Sequence, residues 1–252
     1  MKKAIQLYTL RNRLNEGLEQ VLRQIREMGY DGVEWYYLPD NSPEMAAELS
    51  KAAGLEIFSA HIDINIVLAA DRDLLKRIAK AGFKYLPIGW LPQERLAGGP
   101  LFEETCMAIR AYAEMAKEEG LYVMYHNHDF DLAEVPGDDR RKLDILFDAL
   151  PADIFGAEPD TCWLYSGGVD PVAYLKKYAH RSPVIHLKDC VKEGGRKGYK
   201  PVGDGVLDFE AILAQCGQAE WVCVEQDEPN DGLTDYESAK RSADNLKKLM
   251  MK

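Results

Sequence analysis

Long apolar runs are missing from this 252-residue chain, although 46% of its residues are hydrophobic. No stretch approaches the roughly 18 to 20 consecutive apolar residues of a membrane span, so no membrane partner is expected. Cysteine is sparse and odd in number: Cys106, Cys162, Cys190, Cys216 and Cys223 stand without CxxC spacing. That argues against a disulfide framework and a cysteine-ligated zinc cluster, and it fits a reducing cytoplasm. Positive charge is also short, with 31 Lys and Arg against 42 Asp and Glu and a formal net charge of −11. Such a surface repels phosphate backbones, so nucleic acid is not an expected partner. The densest basic stretch, Lys188 to Lys200, is diluted by Asp189, Glu193 and three glycines. The opening MKKAIQLYTLRNR has only a short apolar run broken by Gln6 and Arg11. It lacks the apolar core and cleavage site of a secretory signal and reads as a first strand.

What the chain has is regular alternation. Short apolar runs at 4–9, 30–36, 55–61, 83–89, 121–126, 153–159, 183–188 and 220–226 are separated by amphipathic patterns near 16–28, 42–53, 71–81, 102–119, 138–149, 170–179, 208–216 and 235–250. Eight strand–helix rounds in a length near the ~250 residues typical of a (β/α)₈ barrel predict an α/β fold, a single TIM-barrel domain over 1–252. Met28-Gly29, Ala53-Gly54, Ala81-Gly82 and Glu119-Gly120 each mark a helix stop before a strand. Ser42-Pro43 and Asp170-Pro171 pair an N-cap with proline at the first helical position.

The ends of the last four strands carry His126, Asp160, His186 and Glu225. In a closed parallel barrel such ends converge on one mouth, where two imidazoles and two carboxylates suit a divalent metal: Mn²⁺ first, then Co²⁺, Fe²⁺ or Zn²⁺. A lone strand-end His or Asp is more often a satisfied hydrogen-bonding residue; four in succession at the same end reverse that judgement. The strand period of two puts Met124, Val184 and Cys223 on the same face as these residues, and counting forward adds His128, Lys188 and Asp227. Glu34 and His61 occupy comparable positions on strands two and three, where they would bind substrate hydroxyls from the other side of the barrel. Trp90 and Trp163 follow strand ends and are expected as pocket walls.

Several short motifs, taken in order, carry a family resemblance: His126-Asn127-His128, Glu158-Pro159-Asp160-Thr161-Cys162-Trp163, His186-Leu187-Lys188-Asp189, Gly203-Asp204-Gly205 with Asp208-Phe209, and Val224-Glu225-Gln226-Asp227. With Gln6-Leu7-Tyr8 and Gly32-Val33-Glu34, the chain resembles the sugar phosphate isomerase/epimerase branch of the xylose-isomerase-like TIM barrel superfamily over nearly its whole length. The resemblance implies a divalent metal at the ends of strands five to eight, a small carbohydrate substrate and a homo-oligomer. It departs at one position. In the similar ketose 3-epimerases a Glu stands where this chain has His126 and works with the strand-eight Glu as paired acid and base.

The expected chemistry is isomerisation or epimerisation of a keto-sugar or polyol through an enediolate, the metal polarising the carbonyl. His128, Glu158 and Lys188 are the candidate proton-transfer residues. Glu158 could equally be a buried acid orienting a ligand, and Lys188 could be held in an ion pair with Asp189, Glu158 or Asp227. The rival is a lyase on the same scaffold, a dehydratase or an enzyme cleaving 3-keto-glycosides, because an enediolate beside a leaving group eliminates. The long connection from Asp189 to Val206 reads as a solvated lid rather than a phosphate cradle. A metal-dependent abasic-site endonuclease needs a basic DNA face that this composition withholds, and a non-catalytic sugar-binding barrel is the remaining alternative.

Overall fold

Strand runs that are apolar on both faces must be covered on both, and the helices that follow them here do so by closing a ring. The structure, a computed structural model, describes residues 1–38, 42–229 and 232–251. The barrel strands are β1 (Lys2–Gln6), β2 (Gly32–Trp35), β3 (Glu56–Ala60), β4 (Tyr85–Ile88), β5 (Tyr122–His126), β6 (Phe155–Glu158) and β7 (Val184–Leu187). A small antiparallel hairpin of β8 (Asp189–Cys190) and β9 (Tyr199–Lys200) precedes the eighth barrel strand, β10 (Trp221–Val224). All the barrel strands run parallel, in the order β6-β5-β4-β3-β2-β1-β10-β7.

Around them lie α1 (Leu18–Glu27), α2 (Pro43–Ala52), α3 (Ile64–Ala69), α4 (Arg72–Ala81), α5 (Phe102–Glu118), α6 (Lys142–Ala149), α7 (Thr161–Ser166), α8 (Pro171–Tyr178), α9 (Phe209–Gln215) and α10 (Asp235–Leu249). Gly29, Gly54, Gly82 and Gly120 all take positive φ at the four expected joints. Ser42 caps α2 by accepting from Met45 N, and Asp170 caps α8 by accepting from Val172 N. Three elements differ from expectation. Strand β1 ends at Gln6, where a 3₁₀ segment, Leu7–Glu16, takes over and delays the first helix to Leu18. Helices α3 and α7 occupy loops too short to show a helical period; each is started by a side-chain cap, Asp63 onto Asn65 N and Asp160 onto Trp163 N.

Inside the ring, alternate residues point to the axis. At its base Ala4, Phe58, Tyr85, Met124, Val184, Trp221 and Cys223 form a separate apolar plug, with Phe58 and Trp221 stacked at 4.2 Å. Gly32 is required there: a Cβ would stand 2.9 Å from the Trp221 ring and 2.8 Å from a backbone oxygen. The plug fills the lower barrel, so polar residues gather only towards the strand C-termini.

The Asp189–Val206 connection is more ordered than an irregular lid. Besides the β8–β9 hairpin, the buried Asp189 carboxylate accepts from the backbone N–H of Cys190, Gly203, Gly205 and Leu207 at 2.8 to 3.3 Å. A Cβ on Gly205 would lie 2.3 Å from Asp189 Oδ1. Asp189 is thus committed to its own loop and leaves Lys188 to other partners.

Between β6 and β7 the ring is closed by little. An isolated parallel bridge pairs Asp160 with His186, and His186 N donates to Pro159 O at 2.9 Å. One step further, Thr161 Oγ1 stands in for a strand: it accepts from Lys188 N at 3.0 Å and donates to Lys188 O at 2.9 Å. Removing that hydroxyl strands a buried donor and acceptor together. Thr161→Val is therefore expected to lower unfolding stability by about 2–4 kcal/mol in urea titration, with Thr161→Ser recovering most of the loss.

Candidate metal centre

All four residues proposed to hold a metal meet. The ligand atoms of His126, Asp160, His186 and Glu225 lie within 4.8 Å of one another, and every one of these residues is buried. Strand ends β5, β7 and β10 supply His126, His186 and Glu225. Asp160 follows β6, where its duty as N-cap of α7 fixes one oxygen, Oδ1, on Trp163 N at 2.9 Å. The other, Oδ2, is buried with no hydrogen-bond partner. Asn127 accepts from Asp160 N at 3.1 Å and so anchors the same turn. A buried carboxylate oxygen with no hydrogen bond, faced only by the Lys188 ammonium at 3.4 Å and standing beside two imidazoles and a second carboxylate, has room for a cation, so these residues fit a divalent metal.

Glu34 and His61 come from β2 and the end of β3, across the ring from β7, and reach inward to the same imidazoles. Glu34 Oε2 accepts from Gln6 Nε2 at 2.8 Å and meets His186 Nε2 at 2.6 Å. His61 Nε2 meets Glu158 Oε2 at 2.8 Å, and His126 Nδ1 meets the same oxygen at 3.2 Å. Glu158 therefore lies under the imidazoles, fully buried, and does not line the cavity. Lys188 Nζ is ringed by Asp227 Oδ1 at 3.1 Å, Glu225 Oε2 at 3.3 Å and Asp160 Oδ2 at 3.4 Å. Its partners include the expected Asp227 but neither Asp189 nor Glu158.

Above the cluster opens a cavity of about 310 Å³ lined by Gln6, Tyr8, Tyr36, His61, Gly89, Trp90, His126, His128, Glu225 and Asp227. Trp90 forms part of its wall and is half exposed. Trp163 is buried behind the wall, under the Lys188 ammonium at 5.0 Å and the Arg196 guanidinium at 5.4 Å. His128 stacks on Phe130 with ring centroids 5.4 Å apart, and its Nδ1 has no partner. Tyr8, Tyr36 and Gln6 were legible only as members of short motifs or as aromatics near the mouth. A larger groove of about 590 Å³ between α1 and α10 lies outside the barrel, away from all these groups.

Without a cation the cluster balances its charge with protons. Burial would raise Glu34 and Glu225, but His186 with His61, and Lys188 with His186, hold them well below the usual carboxylate range. Burial would lower His186 and His61; Glu158 and Glu34 carry His186 well above the imidazole range and His61 up to about 10. His126 goes the other way, pushed well down by burial. Burial pushes Asp160 up to about 6 despite Lys188, and pushes His128 down to about 3 with help from Lys188. Lys188 itself keeps its proton: burial opposes the charge, and Asp160, Glu225 and Asp227 outweigh it.

A protein named inosose dehydratase from Geobacillus kaustophilus (strain HTA426) is 25% identical over 277 aligned residues, covering 92% of this chain and 87% of the relative. Other inosose dehydratases match over shorter stretches, and the chain spans under half of their length. Among solved structures, a sugar phosphate isomerase/epimerase from Parabacteroides distasonis ATCC 8503 superposes with a TM-score of 0.81 at 24% identity, covering 98% of both chains. An IolI protein with a bound zinc atom superposes at 0.73 with 16% identity, covering 99% of this chain and 98% of that one. Likeness at these identities establishes the fold.

Because ligands must shed their protons before they bind a cation, metal affinity is expected to rise with pH through about 6, where Asp160 ionises, and to go on rising above it, since despite burial Glu158 and Glu34 hold the proton on His186 well above the imidazole range. Calorimetric titration of Mn²⁺ at pH 5, 6 and 7.5 checks the sign, and His126→Ala or Glu225→Ala should abolish binding at each pH. The barrel that carries these residues is the one described by the xylose isomerase-like TIM barrel family, whose model matches residues 22–249, and the chain belongs to that family.

Proposed function

We propose that this chain is a divalent-metal-dependent lyase of a small keto-polyol: it takes a proton from the carbon beside a carbonyl and expels the neighbouring hydroxyl as water. The observation that carries the reading is the one-sided placement of proton-transfer groups around the candidate centre. On the β7 and β10 side, the Asp227 carboxylate lines the cavity and is held by the buried Lys188 ammonium 3.1 Å away. Across the ring, β3 and β4 offer His61, already engaged with Glu158, and then Gly89 and Trp90, which carry no acid or base. Elimination can be served from one face. Epimerisation must return the proton to the face opposite its departure.

A bound metal would be held by His126, Asp160, His186 and Glu225 and would polarise the substrate carbonyl, stabilising the negative charge that develops on deprotonation. The protein's own residues do the remaining work. Asp227, which lines the cavity, takes the carbon proton and returns it to the departing hydroxyl; the buried Lys188 ammonium fixes the Asp227 carboxylate in place; neutral His128 offers a hydrogen bond to the substrate. Trp90, Tyr8 and Tyr36 give apolar ring faces to the substrate's C–H surface. The match to a relative named inosose dehydratase over most of both chains supports this outcome.

The substrate is read as unphosphorylated. The cations bordering the mouth are already matched: Arg196 bonds both oxygens of Asp129, and Arg11 bonds the Asp227 carbonyl and faces Glu228. Manganese is the preferred metal, since carboxylate-rich centres completed by substrate oxygens suit it. All five cysteines are unpaired, and among the described residues no helix is long and apolar enough to cross a membrane. We place the enzyme in the reducing cytoplasm on the strength of those thiols.

A second reading, epimerisation, is favoured by one observation: His61, protonated by its carboxylate neighbours, faces the cavity opposite Lys188. Incubating the Mn²⁺-loaded protein with keto-inositols and keto-hexoses in D₂O separates the two. A product lighter by one water supports the lyase; a product of conserved carbon and oxygen content that gains one deuterium overturns it. Lys188→Met is expected to cut kcat by about 10²–10⁴ while leaving the metal content unchanged.

A further inference from the structure

Two donor sets overlap at the cavity floor, and they meet on opposite nitrogens of the same two rings. His186 turns Nδ1 to Glu225 Oε2 at 2.9 Å, and Nε2 to Glu34 Oε2 at 2.6 Å and Glu158 Oε2 at 3.3 Å. His126 turns Nε2 towards Glu225 Oε2 at 3.9 Å and Nδ1 to Glu158 Oε2 at 3.2 Å. Below the set already described, His61, His126, Glu158 and His186 also bring their ligand atoms within 4.8 Å of one another. Three imidazole nitrogens surround Glu158 Oε2 at 2.8, 3.2 and 3.3 Å. Ligands of a tetrahedral ion with bonds of about 2.0–2.1 Å stand roughly 3.3 Å apart; the three distances to Glu158 Oε2 are near that spacing, and all four donor atoms lie within 4.8 Å of one another. Glu158 Oε1 and Glu34 Oε1 are buried there with no hydrogen-bond partner.

We propose that the chain offers a single divalent ion two alternative positions: an upper one on His126, Asp160, His186 and Glu225, and a lower one on His61, His126, Glu158 and His186. The proposal rests on the metal-centre reading above and adds the lower position. Sharing makes occupancy exclusive, because a ring that gives one nitrogen to an ion keeps a proton on the other. The ion's chemistry decides where it sits. Two imidazoles and two carboxylates suit Mn²⁺, whereas three imidazoles and one carboxylate suit Zn²⁺ or Co²⁺. In the lower position the ion is tied to a fully buried carboxylate beneath the cavity, and the upper carboxylates are left to Lys188. A nitrogen-preferring ion would thus hold the protein in a state unlike the manganese form.

The test uses chelator-stripped full-length protein titrated with Mn²⁺, followed by the spin-resonance signal of the free ion, and with Zn²⁺ by calorimetry. Parent protein is expected to bind one equivalent of either ion, each displacing the other. Asp160→Asn should weaken Mn²⁺ by more than the about 10- to 100-fold that a merely orienting neighbour costs, and shift Zn²⁺ by less than about threefold. Glu158→Gln and His61→Asn should do the reverse; using two such variants guards against one that misfolds, which circular dichroism detects. If both lower variants weaken the two ions alike, or neither ion, the lower residues only orient the rings or stand aside, and the proposal fails while the upper centre survives. Two equivalents bound at once also overturn it. No binding of either ion by the parent sinks the metal-centre reading itself.

Discussion

Acid and nitrogen alternate around the barrel, and the rest of the site depends on that alternation. The first, third, fifth and seventh strands and their ends bring Gln6, His61, His126 and His186 to the axis; the second, sixth and eighth bring Glu34, Glu158, Asp160 and Glu225. Barrel interiors are layered with side chains from alternate strands, so each carboxylate has a cationic nitrogen beside it that offsets its carboxylate neighbour, as His186 and His61 do between Glu34 and Glu158 and Lys188 does between Asp160 and Glu225. Burying four carboxylates together would otherwise be prohibitive. The apolar plug below removes water from one side, which strengthens each of these contacts and makes any unmatched oxygen conspicuous.

Much of this was legible in the residue order. Glycines at the helix ends, Ser42-Pro43, Asp170-Pro171 and the eight apolar runs gave the architecture, because each reports a local backbone requirement. The four residues at the ends of the last strands came from counting strands and parity, and the structure brings them together. Parity tells which face a residue is on, but says nothing of its height, since height depends on strand tilt and stagger. Glu34 and His61 accordingly lie on the other side of the barrel, where parity places them, but at a height that engages them with imidazoles and carboxylates rather than leaving them free for substrate hydroxyls.

Side chains acting on backbone were harder to see. Asp160 reads as a ligand candidate and is also the start of α7; Asp189 reads as a partner of Lys188 and instead organises the loop after β7. Trp163, chosen because it follows a strand end, turns into the first turn of α7 and packs behind the cavity. A strand end followed at once by a short helix rotates the next residues out of the strand's alternation, and nothing in a six-residue apolar stretch announces it.

The seam between β6 and β7 gives the molecule a particular kind of vulnerability. Its backbone bridge joins Asp160 to His186, two of the residues placed to grip a cation, and a threonine hydroxyl continues it along Lys188. Hoop and clasp are therefore the same object. Any drift in those positions that loosened the hold on a metal would also unfasten the last stave, so ligand exchange during divergence of such a barrel is confined to replacements that still let the ring close.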